Sequence, residues 1–428
     1  MHVLYSILLT FVIVLTLPYW GWRYLATPKY RGTVWQRLGN VDQLCNGHAI
    51  NTPRVWLHAV SVGETMAASE LAKRLPDLLP GHELVVSTVT KTGQEVARQK
   101  IPHAAAHCYL PIDLPVCLNP VIAAIRPRLL VVMETELWPG LFRALARRGV
   151  PIVLVNGRIS PRSFARYRRL RPLMRRVLAD GRLYLMQTEA DAQRLIAMGA
   201  APQRVVVTGN LKYDQALRPP DPLRLRQLDE RLPAPDAPVW IAASTHPGEE
   251  EILLEVFARL ARHPAAPRLI LVPRHPERTP EVAALLRRRQ LAFQLFSATR
   301  GAWESPVLLV DEIGWLAVLY RMAHLVFIGG TLVPHGGQNM LEAAAWGAPI
   351  LMGPHTFNFR EIAEQLLQAG GAALTRDADA LHAMLAALLE APEQRQRMGE
   401  AARSVIPANA GALERTLTAI GALMAEAP

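Results

Sequence analysis

The sequence predicts an α/β protein: two Rossmann-like, doubly wound domains behind one N-terminal transmembrane helix. Three observations lead there. At 428 residues the chain is longer than a single core usually serves, so two domains of roughly 200 residues each are expected. Short, continuous apolar runs alternate with helical stretches in two series separated by a proline-rich break, the pattern of parallel strands buried on both faces. A charge-free stretch, Val3 to Trp22, opens the chain. The expected organisation is an anchor over 1–22, a first domain over 23–216, a linker over 217–238, and a second domain with C-terminal helices over 239–428.

Val3 to Trp22 is long enough to cross a bilayer as a helix. No Lys or Arg precedes the apolar run and no convincing Ala-x-Ala site follows it, which argues against a cleaved signal peptide. Instead Tyr19, Trp20, Trp22 and Tyr24 form an aromatic belt, and Arg23, Lys29, Arg31 and Arg37 accompany it. That bias puts the bulk of the protein in the cytoplasm on a single-pass anchor.

Strand-like runs follow at Val55–Val60, Glu83–Ser87, Leu129–Met133, Ile152–Asn156, Leu183–Gln187 and Val205–Thr208. Arg-Pro-Pro-Asp and Pro-Ala-Pro-Asp-Ala-Pro then break the rhythm within 217–238. The alternation restarts at Val239–Ala243, Leu269–Val272, Val307–Val310, Leu325–Ile328, Pro349–Met352 and Ala372–Leu374, and from Ala378 onward the chain reads as helices. In such a plan ligands bind outside the carboxyl ends of the strands, so two domains imply a cleft between two sets of strand ends.

The formal net charge of +11 calls for an anionic partner. No segment interleaves aromatic with basic residues as a base-stacking platform does, which removes nucleic acid. The basic run from Arg158 to Arg182, with Phe164, Tyr167, Leu170, Leu173 and Met174 among its arginines, suits anionic lipid; a solvated helix face is the alternative. Cys45, Cys108 and Cys117 make neither a Cys-x-x-Cys nor a metal-ligand spacing, so a reduced compartment and no metal site are expected. His335 and His355 stand in Gly-rich turns as functional candidates, whereas His103 and His107 read as surface or packing residues.

Chemistry is expected in the turns that end strands. Arg54–Glu64 runs from an apolar strand through Ser61 to Glu64, a strand delivering a carboxylate, although Ser-x-x-Glu is also the spacing of a helix-capping box. Glu134 and Glu136 follow Met133 just before Pro139, as catalytic carboxylates or as helix caps. Lys212 follows Thr208-Gly209-Asn210 as an anion clamp or a plain surface lysine. In the second half, the turn Ser244–Glu249 leads into a helix start suited to phosphate, and Arg274 adds a guanidinium. Gly329-Gly330-Thr331 lets backbone amides approach a phosphate, with Asn339 beginning a helix and Glu342 placed for ribose hydroxyls or for capping.

Together these motifs resemble the bacterial 3-deoxy-D-manno-octulosonic acid (Kdo) transferase family, which acts on the lipid A precursor. The resemblance covers nearly the whole chain: the anchor, His58–Glu64, Glu134–Pro139, Gly209–Asp214, Pro273–His275, Gly329-Gly330 and Gly353–Phe359. It implies a GT-B fold, CMP-Kdo as donor, lipid A precursor as acceptor, location at the inner membrane and no cofactor. It also implies Glu64 as general base, with Glu134 and Lys212 supporting the transition state. Pro273 and Arg274, then Gly314, Trp315 and Leu316, then Asn339, Met340, Leu341 and Glu342 correspond to CMP contacts. Two departures stand out: the family often has an acidic residue in place of Trp315, and His-Asn-Pro in place of Gln338-Asn339-Met340.

The expected activity is inverting, metal-independent sugar transfer at the cytoplasmic face of the inner membrane. A cytoplasmic sugar-nucleotide epimerase shares the double-Rossmann plan but has no use for the apolar stretch Leu8 to Leu17 or the arginine-rich segment. A non-catalytic membrane scaffold leaves the polar turns at strand ends unexplained.

Overall fold

The computed structural model of the chain describes residues 2–26, 32–45, 52–233, 235–301 and 303–426. Lys29, Arg31 and Ala234 lie outside the described residues, as do the side chains of Tyr24 and Cys45. The chain divides into two compact units, one of Met1–Gln215 with Ala410–Pro428 and one of Ala216–Asn409.

The first unit holds seven strands: β1 Arg54–His58, β2 Glu83–Thr88, β3 Ala106–Tyr109, β4 Pro127–Met133, β5 Ile152–Gly157, β6 Leu183–Met186 and β7 Val205–Val207. They pair in parallel in the order β3-β2-β1-β4-β5-β6-β7. Both faces are dry. Leu130 and Val132 of β4 point into one core cluster, while Leu129, Val131 and Met133 point into another. Continuous apolar strands are what a sheet covered on both sides demands. The strand order reverses between β1 and β4, where His58 pairs with Val132, so the turns after these two strands open at one switch point.

The second unit repeats the plan with β8 Val239–Thr245, β9 Arg268–Pro273, β10 Phe293–Leu295, β11 Val307–Leu309, β12 Leu325–Ile328, β13 Ile350–Met352 and β14 Ala372–Leu374. The parallel order is β10-β11-β9-β8-β12-β13-β14, which reverses between β8 and β12. Gly329 is required at that switch: a Cβ there would stand 2.2 Å from the Ser244 carbonyl oxygen.

Three expectations change. The edge strands β3 and β10 were not anticipated. The segment 217–238 is not a bare linker, because it carries a helix, Pro222–Arg231, with Asp221 as N-cap and Leu228 buried in the second unit. The last helix, Ala412–Ala425, belongs to the first unit rather than to a 239–428 domain. Ala412, Leu417 and Ile420 are buried against that unit, and both Asp214 carboxylate oxygens accept from its first turn, from the Gly411 and Ala412 amides.

His2–Ala26 forms one helix, whose window Leu4–Arg23 has a mean hydropathy of 1.8 and is long and apolar enough to cross a membrane. Tyr5 Oη donates to Asp113 Oδ2 at 2.9 Å. The arginine-rich segment forms two helices, Pro161–Arg169 and Arg171–Asp180, which bury Met174, Val177 and Leu178 while Arg162, Arg166, Arg168, Arg169, Arg171, Arg175 and Arg176 are exposed. His103 and His107 bond the carbonyls of Ala72 and Ile101, a packing role.

Candidate active site

In the first unit the helix Val62–Leu78 starts directly after β1, with Ser61 as its N-cap. Glu64 turns back over that start, its Oε2 accepting from the Val60 amide at 2.7 Å and its Oε1 from Ser61 Oγ at 3.2 Å. The capping reading is thus realised, but it does not exhaust the residue. Burial first, then the charges of Glu134 and Glu136, push the Glu64 carboxyl up to about 8, against the lowering effect of its two hydrogen bonds. A carboxyl held near neutrality is suited to proton transfer.

Glu134 stands at the end of β4 in a left-handed backbone conformation, φ 54°, with its amide donating to the Val155 carbonyl at 2.8 Å. A non-glycine residue there is sparsely populated and marks a constrained site. Neither Glu134 nor Glu136 caps the following helix Pro139–Ala146; the Gly140 and Leu141 amides donate instead to Asp113 at 2.8 and 2.7 Å. Glu136 is pushed upward by burial and by Glu134. Lys212 Nζ lies 3.8 Å from Glu134 Oε1. Its helix start is fixed by Asn156 Oδ1, which accepts from the Leu211 amide, and by Asn210 Oδ1, which accepts from the Lys212 amide, each at 3.1 Å. Glu64, Glu134, Glu136 and Lys212 therefore share the carboxyl end of the first sheet.

In the second unit, Pro273 ends β9 and the Arg274 amide donates to the Thr245 carbonyl, leaving the Arg274 side chain exposed. Burial raises Glu342, while Arg274 lowers it. Asn339 Nδ2 donates to Glu342 Oε1 at 3.0 Å. The expectation that Asn339 begins a helix is corrected: the helix is Leu341–Ala345, and Asn339 Oδ1 accepts from the Leu341 amide two residues on. Met340 and Leu341 are fully buried, backbone included, and the Leu341 amide is already taken by Asn339, so they pack beneath the turn that carries Asn339 and Glu342.

The amides after Gly329-Gly330 are not free for phosphate. Glu249, fully buried, takes them: Gly330, Thr331 and Leu332 donate to its carboxylate at 2.7 to 3.1 Å, and His246 N at 3.2 Å. Gly314 and Leu316 flank a Trp315 that faces inward, with its ring 5.0 Å from Phe296 and under the guanidinium groups of Arg224 and Arg231. That packing accounts for an aromatic residue where an acid was the family expectation.

Sequence reasoning missed the grouping around His246. Its ring stacks on His335 with centroids 4.2 Å apart and meets His275 edge-on at 6.2 Å. Gln338 Nε2 donates to His246 Nε2 at 3.1 Å. Burial, His335, His275, Arg274 and Arg278 together hold the His246 imidazole down to about 4. The available signal was a histidine in the turn that follows each of β8, β9 and β12, at once after β8, two residues after β9 and farther along the Gly-rich turn after β12, since a doubly wound sheet brings these carboxyl ends together.

Two seven-stranded parallel sheets, each with polar groups gathered at its switch point, define a GT-B protein, and the solved fold neighbours agree. UDP-GlcNAc 2-epimerase from Neisseria meningitidis superposes with a TM-score of 0.59 over 86% of this chain and 100% of its own, at 15% identity, a likeness of fold alone. The profile of the family described as 3-deoxy-D-manno-octulosonic-acid transferase (kdotransferase) matches residues 32–215. The 3-deoxy-D-manno-octulosonic acid transferase of Haemophilus influenzae is 38% identical over 96% of both chains, and that of Bordetella pertussis 38% identical over 86% of both. The chain belongs to the 3-deoxy-D-manno-octulosonic acid transferase family, and its activity is that of a glycosyltransferase of Kdo.

Proposed function

We propose that this protein transfers Kdo from CMP-Kdo to a lipid A precursor, with inversion and without a metal ion, at the cytoplasmic face of the inner membrane. The observation that carries this reading is Glu64, a carboxyl fixed by the Val60 amide and Ser61 hydroxyl and raised to about 8 beside Glu134. In its ionised form Glu64 takes the proton of the acceptor hydroxyl as that oxygen attacks the anomeric carbon from the face opposite CMP. Glu134 and Lys212, 3.8 Å apart, supply paired charge near the reacting groups.

On the second unit Arg274 meets the nucleotide phosphate and Glu342 the ribose hydroxyls, with Pro273, Gly314, Trp315, Leu316 and Asn339 contributing through shape and backbone and Met340 and Leu341 packing beneath. Cationic side chains carry the leaving charge, so displacement of a nucleoside monophosphate requires no divalent ion. The apolar helix and the exposed arginines of 161–176 supply the attraction to an anionic membrane.

The test is CMP release from purified protein mixed with CMP-Kdo and lipid A precursor. Release that depends on acceptor is expected. Release that is indifferent to acceptor, or nucleotide-sugar isomerisation in its place, would overturn the reading.

A further inference from the structure

The imidazoles at the carboxyl end of the second sheet have no part in the chemistry assigned above, yet their surroundings are arranged for a ligand. The carboxylates of the neighbouring turns are already bound. Glu249 holds four backbone amides. Glu250 accepts from Arg278 at 2.7 Å and from Thr245 Oγ1 at 3.0 Å, and Glu342 accepts from Asn339. Glu277 is exposed and lies 3.6 Å from His275 Nδ1. What faces an incoming molecule is Arg274, three imidazoles and the Gln338 amide, a set rich in hydrogen-bond donors around one guanidinium.

The rings of His246 and His335 lie face to face, 17° from parallel, so their nitrogens do not converge on a common point as metal ligands must. Because Gln338 donates to His246 Nε2, the ring proton is on Nδ1, and a neutral imidazole presents an N–H donor. Burial first, and then the neighbouring His335, His275, Arg274 and Arg278, keep His246 uncharged, and a negative oxygen beside the ring offsets the second of these effects. Gly330 is part of the arrangement: a Cβ at this position would stand 3.1 Å from His246 Cδ2 and 3.3 Å from His335 Cβ, closing the space beside the stack.

We propose that His246, Gln338 and His335 form an oxyanion seat that holds an acidic group of the nucleotide sugar, either its phosphate or the carboxylate of its sugar acid. This deepens the donor reading above and rests on it. The seat is distinct from the residues given to the ribose and to the base of the reaction.

The test uses the full-length protein in detergent, titrated calorimetrically with CMP and with cytidine, and assayed for the KM of CMP-Kdo. His335→Ala alters an exposed side chain and Gln338→Leu removes only the amide, so both are expected to fold; His246→Ala is the third variant. If the seat holds phosphate, CMP affinity falls about tenfold in each while cytidine binding is unchanged. If it holds the carboxylate, CMP affinity stays and the KM of CMP-Kdo rises about tenfold. Variants within twofold of wild type for both quantities would overturn the seat. Should wild type fail to bind CMP yet bind inorganic phosphate in a His335-dependent way, the donor reading falls and the seat stands.

Discussion

Glu64→Gln separates proton transfer from helix capping, because the carboxamide keeps the shape and can still accept from the Val60 amide and bond Ser61. The group removed is one whose carboxyl lies at about 8 rather than its ordinary 4.5, through burial first and Glu134 second. At pH 7 about one molecule in ten then carries the active carboxylate, so kcat/KM should climb nearly tenfold per pH unit below 8 and level off above it. The Gln variant should lose at least ~100-fold and show no such limb. Stability moves with the opposite sign. The folded protein keeps this proton up to about 8 whereas the unfolded chain releases it near 4.5, so wild type loses up to ~1.4 kcal/mol per pH unit across that window and the variant does not. CMP release and thermal unfolding, both followed from pH 5.5 to 9.5, check the two halves. Wild-type-like turnover in the variant, or a flat profile from pH 6 to 8 in wild type, would refute the base assignment.

Glu134→Gln should move the acidic limb of that profile to lower pH, since it removes a negative neighbour of Glu64, and should lower kcat as well; a pH–rate series reads both. Arg274→Ala and Glu342→Ala should each weaken CMP binding by ~1.5 to 3 kcal/mol in calorimetric titration, and unchanged affinity in both would remove the nucleotide from the second unit. Deleting Met1 to Trp22 should leave a folded enzyme that transfers Kdo in detergent and still sediments with anionic vesicles at low salt through Arg158–Arg182; a truncated protein that stays in solution would make the basic segment a solvated face. Ile420→Ala should cost ~2 to 5 kcal/mol in denaturant unfolding and loosen amide exchange in the first unit, where Ile420 is fully buried.

Local chemistry was the legible part. The central strands read clearly because both of their faces are dry, and Ser61–Glu64 read clearly because a strand, a cap and a carboxylate stand consecutively. The edge strands β3 and β10 are three or four residues long, and every residue of β10 is only partly buried, so neither leaves an apolar run to notice. Proline misled the reading of 217–238, since Pro222 begins a helix whose cap, Asp221, looked like part of a turn. The nest around Glu249 and the His246 stack join segments more than 80 residues apart, and no spacing in one strand-turn-helix announces them. Trp315 is explained by Phe296 and by the guanidinium groups of Arg224 and Arg231, which arrive from the misread helix.

The return of helix Ala412–Ala425 makes the second unit an insertion within the first. The chain leaves the first unit after Gln215 and re-enters it at Ala410, so two covalent crossings join the units instead of one. A fragment ending at Gln215 lacks Leu417 and Ile420 and leaves the Asp214 carboxylate without the amides of Gly411 and Ala412, so it is an unfinished domain despite covering the matched family profile. The stretch from Ala216 to Asn409 is, by contrast, continuous and carries its own sheet and core. Dissection of this enzyme should therefore excise the middle of the chain and rejoin the flanks, and a C-terminal tag or truncation acts on the unit that holds Glu64, not on the one that holds Arg274.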